Sequence, residues 1–150
     1  MKSLFDSNAH SEILSRIDKL SDSSQGEWGK MKVGQMLRHC QYPLKTALGR
    51  YNPNNKPSPM LKLMGKFFRK SLYNDKPWRQ GLPTAKGFKV MEEKDFLTEK
   101  DKLVVLINDF HQEKNKEQWE PHPIFGSFTS EQWGQMQYKH LDHHLRQFGV

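Results

Sequence analysis

The chain has 150 residues, 35% hydrophobic and 27% charged, with a net charge of +7 at pH 7. That length suits one domain (1–150) with a real core, and the lack of any run of 18 apolar residues excludes a membrane span. The single cysteine, Cys40, excludes an intramolecular disulfide, and MKSLFDSNAH has no apolar signal region, so we expect a cytoplasmic protein. Basic residues alternate with acidic ones, as in EEKDFLTEKDK, without a nucleic-acid motif. A solvated basic surface is therefore a simpler reading than nucleic-acid binding, and a basic rim to an active site is a third.

Helical periodicity dominates and strand-like alternation is nearly absent, so the class is all-α. The first helix spans 8–20, with Asn8 as N-cap and Ile13, Ile17 and Leu20 on one face. The second spans 32–50 on a stripe of Val33, Leu37, Cys40, Leu44 and Ala47. It has no good N-cap, and Pro43 should kink it or shift its bonding. NPNNKPSP (52–59) breaks the pattern. The additional short helix 58–72 is basic and amphipathic, apolar at Met60, Met64, Phe67 and Phe68. Such a face can lie on a membrane surface, although packing across the bundle or against another subunit is its commoner use. The loop-like stretch 73–93 is long enough to cover a site. A helix at 95–114 turns Phe96, Leu103, Ile107 and Phe110 inward, and 130–148 forms the last. Thr129 and Gln132 give that last helix a capping box, Phe128 and Trp133 a hydrophobic staple, and Gly149 a stop.

HLDHH, at 140–144, puts three of the seven histidines on this last helix. At about 100° per residue its apolar stripe centres on Leu141, Leu145 and Phe148. His144 lies about 60° from Leu141 and His140 about 100° away on the same side, whereas His143, at about 160°, leans outward. His140 and His144 thus form an HxxxH pair able to put two imidazole nitrogens on one metal ion, with an incidental surface helix as the competing reading. A catalytic ion usually has three protein ligands, and the third candidates are His10, His39, His111 and His122. His39, at the edge of the second helix's stripe, suits a ligand facing an accessible cleft. His111, one turn past Ile107, reads as a hydrogen-bonded core histidine, and His10 and His122 lie near loops. Cys40 falls on the apolar stripe and reads as a small buried hydrophobe. Asp142 and Arg146 make an exposed i, i+4 pair. Gln147, about 20° from His140's side, could orient an imidazole or a bound water, or could satisfy backbone groups at the helix end.

WGKMKVGQMLRHC and HPIFGSFTSEQWGQMQYKHLDHHLRQFG resemble the DinB-like (YfiT-like) superfamily of metal-dependent enzymes, closest to a branch of unknown function. The likeness extends over most of the chain, weakly through 51–94 and more specifically at both ends. It implies a four-helix bundle with a three-histidine metal site. His39 matches the first ligand after a W…VG…L..H pattern, His140 and His144 match the pair, and Gln147 matches a following glutamine. Pro43 and the HPIFG approach depart from the broader superfamily and suit the branch. The resemblance also implies thiol-dependent S-transferases and isomerases, in which a metal-bound low-molecular-weight thiolate attacks an electrophile.

Three neutral imidazoles leave a divalent ion its full charge and open positions, and zinc and nickel both suit them. The basic surplus would suit a carboxylate-bearing thiol and a small-molecule substrate. A metal-dependent hydrolase is the alternative enzyme, although no HExxH supports a zincin protease. His143 could serve as a proton shuttle, but its outward lean makes it a bystander first. From another class, the chain could be a non-catalytic bundle binding a small molecule or a protein partner, a second copy (a homodimer) included.

Overall fold

The computed structural model describes residues 1–51, 57–84 and 86–150. Among them no strand occurs, only an isolated bridge between His122 and Gly126. Five α-helices follow one another: α1 (Ser7–Asp18), α2 (Val33–Ala47), α3 (Pro59–Phe68), α4 (Phe96–Gln112) and α5 (Ser130–Gln147). Short 3-10 turns occupy Arg69–Tyr73, Lys86–Phe88 and Glu113–Asn115. None of these helices is long and apolar enough to cross a membrane.

The residues spaced three and four apart do the packing. α1 buries Ala9, Ile13 and Ile17, α2 its Val33–Leu37–Cys40–Leu44 stripe, α4 Leu103, Ile107 and Phe110, and α5 Trp133, Leu141 and Leu145. Each such Leu or Ile contributes about 1.5–3 kcal/mol on leaving water, against about 1 kcal/mol for a helix cap, so core burial dominates. α2 packs most extensively on α4 and also meets α5, while α1 contacts both α4 and α5. These four helices form the bundle.

The chain ends of the elements follow their local chemistry. Thr129 Oγ1 accepts from the Gln132 N–H at 3.2 Å and Gln132 Oε1 from the Thr129 N–H at 3.1 Å, so the expected capping box forms. Phe128 and Trp133 close the staple with ring centroids 5.1 Å apart. α1 starts at Ser7, one residue before the expected cap at Asn8; the cap position falls to Asp6, whose Oδ2 accepts from the Ser3 N–H. Lys32 begins α2 and has no side-chain acceptor; Gln35 Oε1 instead reaches back to the Lys32 N–H at 2.9 Å. α2 continues through Pro43 but stops at Ala47, short of 50. Gly49 sits there at φ 70°, its N–H on the Thr46 carbonyl, while Arg50 N–H reaches Lys45 at 2.8 Å. That is a Schellman closure, and the left-handed residue it requires is the glycine.

The expected 58–72 helix is an α-helix to Phe68 followed by a 3-10 turn. Ser58 Oγ caps it by accepting from the Leu61 N–H. The breaker 52–59 lies outside the described residues at 52–56. Contrary to the expectation of packing across the bundle, α3 buries only Gly65, where a Cβ would come within 2.8 Å of Ile124. Met60 is 73% exposed and Phe67 79%.

Candidate metal centre

α2 and α5 pack side by side, and their facing edges bring His39, His140 and His144 together. One ligand nitrogen from each lies within 4.8 Å of the other two, and all three residues are at most 8% exposed. The Nε2 atoms of His39 and His140 are 3.1 Å apart.

Hydrogen bonds on the far side of two rings fix which nitrogen faces inward. Nδ1–H of His39 donates to the Phe88 carbonyl at 2.9 Å. Phe88 is held there by Tyr42 and Tyr51, whose rings lie 5.7 and 6.0 Å from its own, and the Tyr51 hydroxyl donates to Gly87 O. Nδ1–H of His144 donates to Gln147 Oε1 at 2.8 Å, and the Gln147 amide nitrogen donates to Trp28 O at 2.7 Å. Gly29, next in the chain, makes this possible: its φ is 82°, and a Cβ on it would stand 2.5 Å from Gln147 Nε2. With Nδ1 protonated, both imidazoles present an Nε2 lone pair. His140 Nδ1 is buried without a partner among the described residues.

Burial keeps the cluster neutral. It drives the His140 pKa well below the usual imidazole range, with the neighbouring imidazoles of His144 and His39 adding to the effect. Burial takes His144 down to about 3, against a small upward pull from Gln147. His39 is lowered for the same first reason, opposed by its bond to Phe88. Neutral imidazoles are the form that binds metal. Ligand nitrogens at about 2.0–2.1 Å from a tetrahedral ion stand about 3.3 Å apart. The His39–His140 pair, at 3.1 Å, has that spacing, and the three nitrogens together lie within 4.8 Å, a donor set that could hold a divalent ion.

Two sequence expectations are corrected here. His143 does not lean into solvent: it is 7% exposed, its ring edge-on to Trp28 at 6.0 Å and Trp78 at 5.7 Å. α5 is covered on more sides than its own apolar stripe indicates, because the loops supply those two tryptophans. His39 is likewise buried, not open to a cleft. Trp78 also sits edge-on to His140 at 5.9 Å, so the 73–93 stretch covers the cluster; residue 85 lies outside the described part of it. Neither the cleft of about 700 Å³ between residues 22–34 and 93–96 nor one of about 260 Å³ beside Lys139 is lined by the three histidines. Lys139 itself is no free anchor for an anion. Its Nζ donates to Ser71 O, Asn74 O and Asn74 Oδ1 at 2.7–2.8 Å, strapping the covering loop to α5.

The other candidates have structural surroundings. His111 Nδ1 donates to the Leu4 carbonyl at 2.8 Å, and its ring stacks on His10 at 4.1 Å. His122 Nδ1 accepts from the N–H groups of Ile124 and Phe125, holding the HPIFG turn together from inside. Cys40 is buried beside Met36, and burial pushes its thiol well above the usual range. Asp142 pairs with Arg146 as expected, and also with Arg16 of α1 at 2.8 Å. Trp28 and Gly29 entered the sequence reading only as the opening of the WGKMKVGQMLRHC motif, without a role at the site, and Trp78 and Phe88 were missed; a lone Trp in a long loop was the available signal.

Residues 2–149 match the sequence model of a family described as "Protein of unknown function (DUF1569)", and the chain belongs to that family. No curated protein and no solved structure matches the chain.

Proposed function

We propose that the protein is a metal-dependent enzyme whose ion is held by His39, His140 and His144, acting on a small electrophile with a low-molecular-weight thiol as co-substrate. One observation carries the metal reading. His39 and His144 have each spent Nδ1 on an acceptor, so their free Nε2 lone pairs belong to the one cluster, and His39 Nε2 stands 3.1 Å from His140 Nε2. Nitrogens this close need a proton or a cation between them. The S-transferase or isomerase chemistry rests on the resemblance of WGKMKVGQMLRHC and the HxxxH helix to the DinB-like superfamily.

A divalent ion bound there would act as a Lewis acid, lowering the pKa of a thiol or water. The protein's own contributions are separable. Phe88 and Gln147 hold two imidazoles in the tautomer that offers Nε2, and Trp78 excludes water above His140. A carboxylate-bearing thiol would need cations other than Lys139.

A second reading, a non-catalytic bundle with a structural ion, is favoured by the burial of the cluster: all three histidines are at most 8% exposed, and Trp78 sits edge-on to His140. Protein reconstituted with zinc or nickel and screened with thiols against alkyl and epoxide electrophiles separates the two. The proposal expects thiol-dependent turnover that disappears in His140→Ala. Bound metal without turnover, in both the native chain and the Trp78→Ala variant, supports the structural ion.

A further inference from the structure

α3 presents a face that the other described residues leave bare. Met60, Leu63, Met64 and Phe67 are 49–79% exposed. At about 100° per residue they fall within a roughly 100° arc. Gly65, the contact with Ile124, lies about 150° from the centre of that arc, so the apolar face points away from the bundle. Monomeric proteins seldom leave contiguous large apolar side chains in water without a use for them.

Charge identifies the occupant. From Tyr51 to Asn74 the sequence has no Asp or Glu, and it carries Lys62, Lys66, Arg69 and Lys70 around α3. Arg69 is turned inward, hydrogen-bonded to Ser127 O and lying over the Phe128 ring, but Lys62, Lys66 and Lys70 are exposed. Lys66 and Lys70 border the apolar arc. A second copy seated on this face would set two acid-free, lysine-bearing helices against each other, on chains already at +7. An anionic bilayer offers both complements at once: an acyl boundary for Met60, Met64 and Phe67 and negative headgroups for the lysines.

We propose that α3 docks the protein on the surface of an anionic membrane, lying in the interface without crossing it. Nothing in this inference depends on the metal centre. The test is flotation of the full chain with vesicles of phosphatidylcholine alone and with about 30% phosphatidylglycerol. The protein should float with the anionic vesicles only, and less so as salt screens the lysines. Phe67→Asp, and separately Lys66→Glu with Lys70→Glu, should each weaken binding by about tenfold or more. Circular dichroism should stay unchanged, since these side chains are exposed. Failure of the native chain to float with anionic vesicles overturns the proposal, as does a Phe67→Asp variant that floats equally well. A dimer that Phe67→Asp dissociates, with no vesicle binding, would assign the face to a second copy instead.

Discussion

Gln147 joins the last turn of α5 to the 28–29 segment: its oxygen accepts a hydrogen bond from His144 Nδ1–H and its nitrogen donates to Trp28 O. Removing it frees the His144 ring to turn and to change tautomer. Gln147→Ala should therefore weaken metal binding by roughly ten- to a hundredfold in a competition titration with a chelator. Gly29→Ala should act through the same bond. The new methyl meets the Gln147 amide, and a left-handed φ costs a non-glycine residue roughly 1–2 kcal/mol, so both metal affinity and Tm should fall. His143→Ala has a different signature. The ring fills space between Trp28 and Trp78 without joining the ligand cluster, so Tm should drop while metal affinity holds. If His143→Ala loses the ion and Gln147→Ala keeps it, the pair that binds is His140 and His143. The sequence alone placed Gln147 at the edge of the site from helical angle. It could not bury His143, since an angle reports position relative to one helix's own stripe and carries no information about tryptophans 65 and 115 residues away in the chain.

At the scale of elements, the 122–126 turn holds the approach to α5 and is sensitive to acid. His122 Nδ1 accepts two backbone N–H bonds, and burial holds its pKa down to about 4. An unfolded histidine takes its proton near pH 6.5, so between these values the unfolded chain binds more protons than the folded one. Stability is full above about pH 6.5 and falls toward pH 4, with about 3 kcal/mol lost across the window from this group. In metal-free protein, the drop in denaturant midpoint between about pH 7 and pH 5 should be smaller in His122→Asn, which has an acceptor but no proton to gain. An equal drop in both proteins would assign the acid sensitivity to other groups. Element boundaries were legible where capping chemistry is local, as at Thr129–Gln132 and Gly149. They were not at α2, where Gln35 supplies from inside the helix what Lys32 cannot, nor at Gly49, which closes the helix three residues early. α3 was legible as an amphipathic helix, but which body its face would meet depends on tertiary placement, and the bundle leaves it uncovered.

Across the whole molecule, four apolar stripes specify the bundle, and the histidines sit at its edge without being needed to close it. The core residues Ile13, Leu37, Ile107 and Leu141 are all at most 1% exposed, so the hydrophobic faces, not an ion, hold the helices together. The three ligand candidates could be read from spacing and resemblance because α2 and α5 are regular helices with fixed angular positions. That 73–93 would cover a site was legible from its length, but the groups that do so were not, since Trp78 and the Phe88 carbonyl reach the site through irregular backbone. The measurement that bears most directly on this account is the metal content of the purified native chain and of His39→Ala, His140→Ala and His144→Ala, each with its far-ultraviolet circular dichroism. The account predicts about one divalent ion per native chain, loss of that ion from each variant, and the same helical signal in all four. A native chain that takes up no ion from zinc or nickel solutions, or a His39→Ala variant that keeps full occupancy, would contradict it.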